Sequence, residues 1–215
     1  MSGIMLNVVG GTFAAPVPVV GSALGGGFFA GQISTAGNGI ADYNLIIGPV
    51  ASAENSSIKY KTTNTGGDPT SVIDGPTNSS TMNDATHPAA QFCEGLTIGG
   101  FSDWYMPAKN ELEVCYFNLK PTTQTNTTAN GSNTNAVPSR GSNYTSGTPA
   151  QTTAAIFQST GAETFGSGGG VYYWSSSEST TNNLNVFLQY FFNGSQFLDY
   201  KFRSYRVRAV RRVAV

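Results

Sequence analysis

The chain has 215 residues, a net charge of −1 and charged side chains at only 11% of its positions, less than half the share in an ordinary soluble domain. This length suffices for one large domain or two small ones with a proper core, and the near-neutral charge argues against a general nucleic-acid-binding protein. One histidine and two cysteines provide neither a zinc cluster nor a disulfide framework, so no metal and no cofactor are expected.

The N-terminal segment is apolar but lacks the pattern of a membrane span or an export signal. Its first 41 residues contain no charged side chain, yet Gly and Pro interrupt every apolar run and no basic stretch opens the chain. We therefore expect no signal peptide and no membrane insertion. Residues 1–24 are predicted to form an extended apolar arm. The arm either packs on a neighbouring subunit or larger assembly, or lies as a first strand along its own domain.

Strands and loops are predicted next. Residues 25–34 and 43–50 read as two strands joined by a turn around Asn38-Gly39. Residues 51–82 are rich in Ser, Thr, Asn, Gly and Asp, which predicts a surface loop with one short strand at 58–61.

Two helices follow, at Thr86–Leu96 and Pro107–Leu119. Each has a proline in its first turn and apolar residues at helical spacing. The same spacing places Cys93 in the core, and Trp104, between the helices, is interpreted as a core anchor. His87 is interpreted as a residue of the helix cap.

Residues 121–159 form a long insertion rich in Thr, Asn, Ser and Gly. A loop of this length without regular structure is either functional or mobile. Only Ala154–Phe157 is a candidate for a short helix or strand.

The most informative stretch lies near the C-terminus. An aromatic and serine-rich cluster, 173–178, opens it and a basic alternating strand, 206–212, closes it. Eight of the 26 residues from 180 to 205 are Phe or Tyr, mixed with small polar side chains. This mixture is typical of binding surfaces, although Phe and Tyr also favour ordinary core strands. The basic strand could touch nucleic acid or acidic glycans, but structural pairing of its arginines is favoured.

Three motifs resemble one known family. GFSDWYMPAKNEL at 100–112, YWSSSE at 173–178 and RVRAVRR at 206–212 resemble segments of the C-type-lectin-like domains of the Lcl type found in bacteria and phages. They occur in the same order and spacing, and the resemblance covers roughly residues 25–213. It implies an α+β C-type-lectin-like fold with two helices, small antiparallel sheets and long loops, in which the N- and C-terminal strands pair. The predicted organisation is an arm at 1–24 and this domain at 25–215.

Some members of this fold, similar to the phage major tropism determinant, are receptor-binding proteins diversified by a retroelement. There, adenine mutation in Asn-type codons yields a restricted set of amino acids that excludes Gln, Lys, Glu, Met and Trp. Between 180 and 205 only two glutamines and a lysine fall outside this set. The pattern fits variable positions set in a fixed frame, which comprises Gln189, Phe191, Gly194, Gln196 and Lys201.

The predicted ligand face is built from aromatic and small polar side chains within this region. Rings would stack on sugars or fill protein pockets, and Asn, Ser and Asp would supply hydrogen bonds. Trp104, Trp174 and the basic strand would hold the face rigid, with Asp103 or Glu111 pairing with an arginine because a buried Arg needs a carboxylate. The predicted ligand-binding residues are Phe187, Tyr190, Phe192, Asn193, Phe197, Asp199, Tyr200, Phe202, Ser204 and Tyr205.

Two functions remain open at this point. The first is a phage or prophage receptor-binding or virion-surface adhesion protein, which would contact a host cell-surface protein or glycan. The alternative is a structural virion protein, a head decoration or tail component. Either would assemble in the host cytoplasm, reside in the virion, contact other virion proteins through its arm and form a homo-oligomer, with a trimer expected by analogy with phage fibres.

An enzyme is not expected. The fold is shared with formylglycine-generating enzymes, whose chemistry needs a reactive cysteine pair near the C-terminal half. Here no cysteine follows Cys115, and Asp103, Glu111 and Glu178 each have a structural explanation. The calcium and sugar motifs of animal C-type lectins, Glu-Pro-Asn and Trp-Asn-Asp, do not occur either, so binding of sugar through calcium by that route is not predicted.

Overall fold

The computed structural model describes residues 16–215, in which loops connect two five-stranded sheets, four α-helices and a short 3-10 helix at Ala155–Phe157. Residues 1–15 of the predicted arm lie outside the described residues. The end of the arm is joined to the domain, because Gly21 N donates to Phe29 O at 2.8 Å and Phe29 N donates to Ser22 O at 2.9 Å. The mixed α+β architecture agrees with the predicted class.

The first sheet joins the two ends of the described chain. All its pairings are antiparallel, and the C-terminal strand lies directly beside an N-terminal one. Both strands predicted in residues 25–50 are present. The order is β1 (Ala23–Leu24), β2 (Gly27–Ile33), β3 (Tyr43–Ile47) and β10 (Val210–Ala214), with β5 (Ala136–Val137) on the far part of β2.

The second sheet carries most of the predicted ligand face. Its central pairing, between β6 and β9, is parallel, and its other pairings are antiparallel. One edge is formed by β8, which therefore presents one side to solvent or to a partner. The order is β4 (Glu54–Lys59), β9 (Ser204–Arg208), β6 (Tyr172–Glu178), β7 (Asn185–Tyr190) and β8 (Gln196–Tyr200).

Four helices are present where the sequence predicts two. The predicted helices correspond to α3 (Pro88–Glu94) and α4 (Lys109–Leu119), and His87 occupies the N-cap position of α3. The expectation that residues 51–82 are loop is wrong for α1 (Val50–Ala53) and α2 (Gly75–Thr81). Neither has an apolar stripe that periodicity could detect, and α2 is held instead by a cap, since Asp74 Oδ1 accepts from Thr77 N.

Helix α4 lies in the middle of the molecule, against strands of both sheets. Its predicted apolar stripe is buried, and so are two of its carboxylates, Glu111 and Glu113. Cys93 and Trp104 belong to a second buried cluster between α3 and the second sheet, which confirms both as core residues. Within residues 16–215, no helix has the length and apolar character needed to cross a bilayer.

The basic segment 206–212, predicted as one strand, is divided between β9 and β10, which belong to different sheets, and its charges are paired within the fold. Arg211 pairs with Asp103 at 2.6 Å and Arg212 pairs with Glu111 at 2.8 Å, as the sequence predicts. The neighbouring arginines are paired as well: Arg206 with Glu54 at 2.5 Å and Arg208 with Glu163 at 2.8 Å. The prediction that these arginines are paired structurally is therefore confirmed.

Candidate ligand-binding face

Strand register brings aromatic side chains from separate strands together. Tyr172 of β6 lies opposite Tyr190 of β7, and Phe197 of β8 lies opposite Leu188, two residues before Tyr190. Because successive side chains alternate between the two faces of a strand, Tyr172, Tyr190 and Phe197 share one face. The adjacent strand β9 adds Tyr205 to the same face.

These rings form one continuous surface, which we call the aromatic patch: Tyr172, Tyr190, Phe192, Phe197 and Tyr205. Tyr172 is its centre, with ring centroids 4.9 Å from Tyr190, 5.5 Å from Phe197 and 5.4 Å from Tyr205. Phe192 stacks on Tyr190 at 5.5 Å. Such separations are favourable for aromatic pairs, so the rings hold one another in place while Phe197 remains 44% exposed.

Tyr172 is a candidate residue that the sequence analysis missed. It directly precedes the 173–178 cluster, which contains the predicted scaffold residue Trp174. Tyr173 and Trp174 are indeed fully buried, but Tyr172 is only half-buried. Its place at the centre of the patch depends on the pairing of β6 with β7, which no local pattern reveals.

Tyr200 and Phe202 form a second group on the turn between β8 and β9. Their rings stack at 5.7 Å, and the guanidinium of Arg203 lies 5.5 Å from the Phe202 ring centroid. Both rings are exposed, at 44% and 39%. We call these two residues the aromatic pair.

Four predicted residues belong to neither group, and of these only Asp199 contacts the patch, through Tyr205. Phe187 opposes Leu198, on the other face of the sheet, where Lys109 Nζ lies 4.7 Å from its ring centroid. Asn193 holds the turn after β7, since its Oδ1 accepts from Ser195 N at 3.1 Å. Ser204 is exposed at the start of β9.

The predicted frame positions lie beneath the face. Gln189, Phe191 and Lys201 are buried, and Phe191 stacks on Phe165 with ring centroids 3.8 Å apart. Gly194 has a φ of +80°, and a Cβ there would lie 2.4 Å from the Tyr116 ring, so the position demands glycine. Gln196 donates to Gln189 Oε1 at 3.2 Å. Positions that stay constant while their neighbours vary are expected to be buried, hydrogen-bonded or restricted to glycine, as these are.

One phenol of the aromatic patch is hydrogen-bonded to a carboxylate. Tyr205 O–H donates to Asp199 Oδ2 at 2.5 Å, and partial burial together with this hydrogen bond raises the pKa of Tyr205 to about 12. The phenol is therefore uncharged at neutral pH. A shallow cleft of about 150 Å³ lies beside Tyr172 and Tyr205, next to Ser204 and Arg206. The patch thus offers ring faces and edges with a small polar cleft at one side.

The chemistry of the remaining candidates is structural. Burial raises the pKa of both thiols, Cys93 and Cys115, which disfavours the reactive thiolate. Glu178 bonds the Lys201 ammonium. Among residues 16–215, no group of three or more His, Cys, Asp and Glu side chains is arranged to hold a metal ion.

Comparison with known proteins supplies one match. The family model of the Lcl C-terminal domain matches residues 55–211, a span that contains the aromatic patch, the aromatic pair and most of the basic strand. A search of curated proteins finds no match to this chain.

Proposed function

Because this chain belongs to the Lcl C-terminal domain family, we propose that it is a receptor-binding or adhesion protein of a phage or prophage virion. The family itself suggests a surface or adhesion-related protein. In the proposal, the aromatic patch contacts a protein or glycan on the host cell, and the chain has no catalytic role. The domain is proposed to be of the C-type-lectin-like kind, which is consistent with the pairing of β10 with β3.

One observation carries the proposal. Five rings from four strands and the turn that follows β7 meet on one outer surface of the second sheet, above a layer of buried frame residues. Core strands would bury these rings, whereas Phe197 is 44% exposed and the other four rings are only half-buried. Aromatic residues of this kind are enriched where a protein surface anchors a partner.

We extend the proposal to diversification of residues 180–205. In this region the frame positions lie inside, while half-buried or exposed positions such as Tyr190, Phe197 and Tyr200 could change without disturbing the core. Sequencing the same locus in sister isolates tests this. We expect substitutions at the outward positions in Asn-type codons, with Gln189 and Gly194 unchanged. An invariant 180–205 stretch beside a drifting 121–159 segment would remove this part of the proposal.

Assembly is proposed to use the other end of the molecule. Val17 and Val19 are strongly exposed apolar side chains of the N-terminal arm, which suits contact with other virion proteins and a homo-oligomer such as a trimer. Several copies would raise a modest affinity through multivalency. Deleting Met1–Val19, which removes both side chains, is expected to abolish assembly while the isolated domain still binds cells. The alternative, a structural virion protein, predicts loss of assembly and no cell binding by either form.

The binding experiment compares two phenylalanines of similar exposure. Phe197 (44% exposed) lies in the patch, and Phe101 (38% exposed) lies against Arg211 in the other part of the molecule. We expect Phe197→Ala to weaken cell binding about tenfold or more, as the loss of a central aromatic anchor does. Phe101→Ala is the matched control and should bind like the wild-type chain.

The readout is the binding of purified fluorescent protein to host cells, with urea unfolding measured in parallel. Equal binding by the two variants would contradict the proposed face. So would a Phe197→Ala chain that unfolds before it loses binding, because the ring would then be part of the core.

A further inference from the structure

Lys201 is fully buried although it lies between the two exposed rings of the aromatic pair, Tyr200 and Phe202. Its Nζ donates to Asp68 Oδ2 at 2.6 Å, to Thr65 O at 2.9 Å and to Glu178 Oε2. We call these three acceptors the oxygen cage. An ammonium has three N–H donors, so the cage satisfies it completely.

The cage is itself held by further contacts. Asp68 Oδ1 accepts from Lys61 Nζ at 2.6 Å and contacts His87 Nε2 at 3.0 Å, and Asp68 N donates to Glu178 Oε2 at 2.9 Å. Burial alone would raise the pKa of Asp68, but the hydrogen bonds from Lys201 and Lys61 outweigh it and lower that pKa. Asp68 is therefore a carboxylate at neutral pH.

The backbone of Lys201 is tied to the same loop. Its N–H donates to Asn64 Oδ1 at 3.2 Å and its carbonyl accepts from Lys61 N at 3.0 Å. Side chain and backbone together attach the turn between β8 and β9 to residues 61–68. The position and direction of the aromatic pair depend on this attachment.

Two carboxylates and a backbone carbonyl are the ligands that a hard divalent cation prefers. In the oxygen cage these three groups bind the Lys201 ammonium instead. We infer that Lys201 is a built-in cation that replaces a structural metal ion beneath the ligand face, so that the aromatic pair is positioned and ligand is bound without calcium. The inference rests on the proposed function, since it concerns the regulation of that face. Lys201 acts as a positioning residue, because its own side chain is not exposed to a ligand.

The test uses the full chain and three variants. Lys201→Met removes the ammonium and keeps most of the volume, Lys201→Ala empties the cage, and Lys59→Met changes an exposed lysine on β4 as the control. The measurements are the thermal midpoint, amide hydrogen exchange of residues 200–205, and cell binding. Each is made with EDTA, with calcium chloride and with magnesium chloride.

We expect the wild-type chain and Lys59→Met to ignore EDTA and both metals in all three measurements. Lys201→Met should lower the midpoint by roughly 10 °C, since it leaves buried carboxylates unpaired, and should lose exchange protection at 200–205. In Lys201→Ala, millimolar calcium should restore part of the protection and magnesium less, because the larger ion tolerates an irregular oxygen site. A merely structural lysine would give no such rescue.

EDTA sensitivity of the wild-type chain would overturn the inference. A Lys201→Ala chain that calcium leaves unchanged would do the same, as would a Lys201→Met chain whose thermal midpoint and hydrogen exchange equal those of the wild type. The proposed function fails separately. If the wild-type chain binds no host cell, the receptor-binding role is lost, while the midpoint and exchange data still decide what Lys201 does.

Discussion

Residues 121–159 and residues 180–205 share a bias towards Asn, Ser and Thr, but they use their side chains in opposite ways. The first segment turns amides inward: Asn126, Asn133 and Asn135 are all buried and hydrogen-bonded. The second segment uses asparagine in its turns, as at Asn193, and places aromatic rings outward. Composition alone does not distinguish a support from a binding surface, because the distinction depends on where the hydrogen bonds go.

The first segment supports the second directly. Thr122 Oγ1 donates to Phe192 O at 3.1 Å, Thr127 N donates to Asn193 O at 2.8 Å, and Gln196 N donates to Asn130 Oδ1 at 3.0 Å. These bonds hold both sides of the turn between β7 and β8. The long insertion therefore acts in this structure as a brace for the turn that carries Phe192.

The largest expected effect tests the division between frame and face inside residues 180–205. Phe191 is fully buried and stacks on Phe165, whereas its neighbour Phe192 is only half-buried. Phe191→Ala should lower the free energy of unfolding by about 4 kcal/mol, through lost burial and a cavity. Phe192→Ala should cost about 1 kcal/mol and reduce cell binding more than stability. Urea unfolding of both variants checks this, and equal losses would erase the distinction between the two positions.

The next effect tests whether asparagines of the brace are structural. Asn126 Oδ1 accepts from Tyr116 O–H at 2.6 Å and from Lys120 Nζ at 2.7 Å, and its Nδ2 donates to Pro149 O at 2.9 Å. Asn126→Ala leaves buried partners unsatisfied, which should lower the free energy of unfolding by about 3 kcal/mol.

Asn143 is the control for that variant, since it is an exposed asparagine of the same segment. Asn143→Ala should change the free energy of unfolding by less than about 0.5 kcal/mol. If both variants unfold at the same urea concentration, the buried amides do not support the face.

The sequence predicted those helices whose start and apolar face are encoded in neighbouring residues. Helix α3 begins with Pro88. Helix α4 begins two residues after Pro107 and has an apolar stripe. Helix α2 has no such stripe, and it depends on distant partners: Ser79 Oγ accepts from Met106 N at 3.0 Å, and Asn78 Nδ2 donates to Ser176 Oγ at 3.2 Å. The cap at Asp74 and the proline at Pro76 are local start signals, but without an apolar stripe they do not distinguish a helix from a turn.

The sequence predicted which segment of the chain carries the candidate site, but it did not predict which side chains of that segment lie on one surface. Aromatic density marked residues 180–205, and within it Tyr190 and Phe197 do meet, while Tyr205 reaches them only through Tyr172. Alternation along β7 places Phe187 on the opposite face, and the partner that joins the rings, Tyr172, comes from another strand. Register between strands is set by the whole sheet, so a list of aromatic positions could not show which of them are neighbours.

The smallest expected effect comes from a variant that keeps an aromatic ring of the patch but removes the hydrogen bond that orients it. Tyr205→Phe keeps the ring and removes only the hydrogen bond to Asp199. The bond is partly exposed, so its loss should cost under about 1 kcal/mol of unfolding free energy. Cell binding should fall about fivefold if that bond orients the ring, since this fold-change corresponds to about 1 kcal/mol. Asp199 Oδ1 also accepts from Tyr200 N at 2.7 Å, so a double-mutant cycle with Asp199→Ala is needed to isolate the pair. We expect a coupling energy of about 1 kcal/mol in binding. Additive losses would mean that each side chain contacts the ligand on its own and that the patch is not held together by this bond.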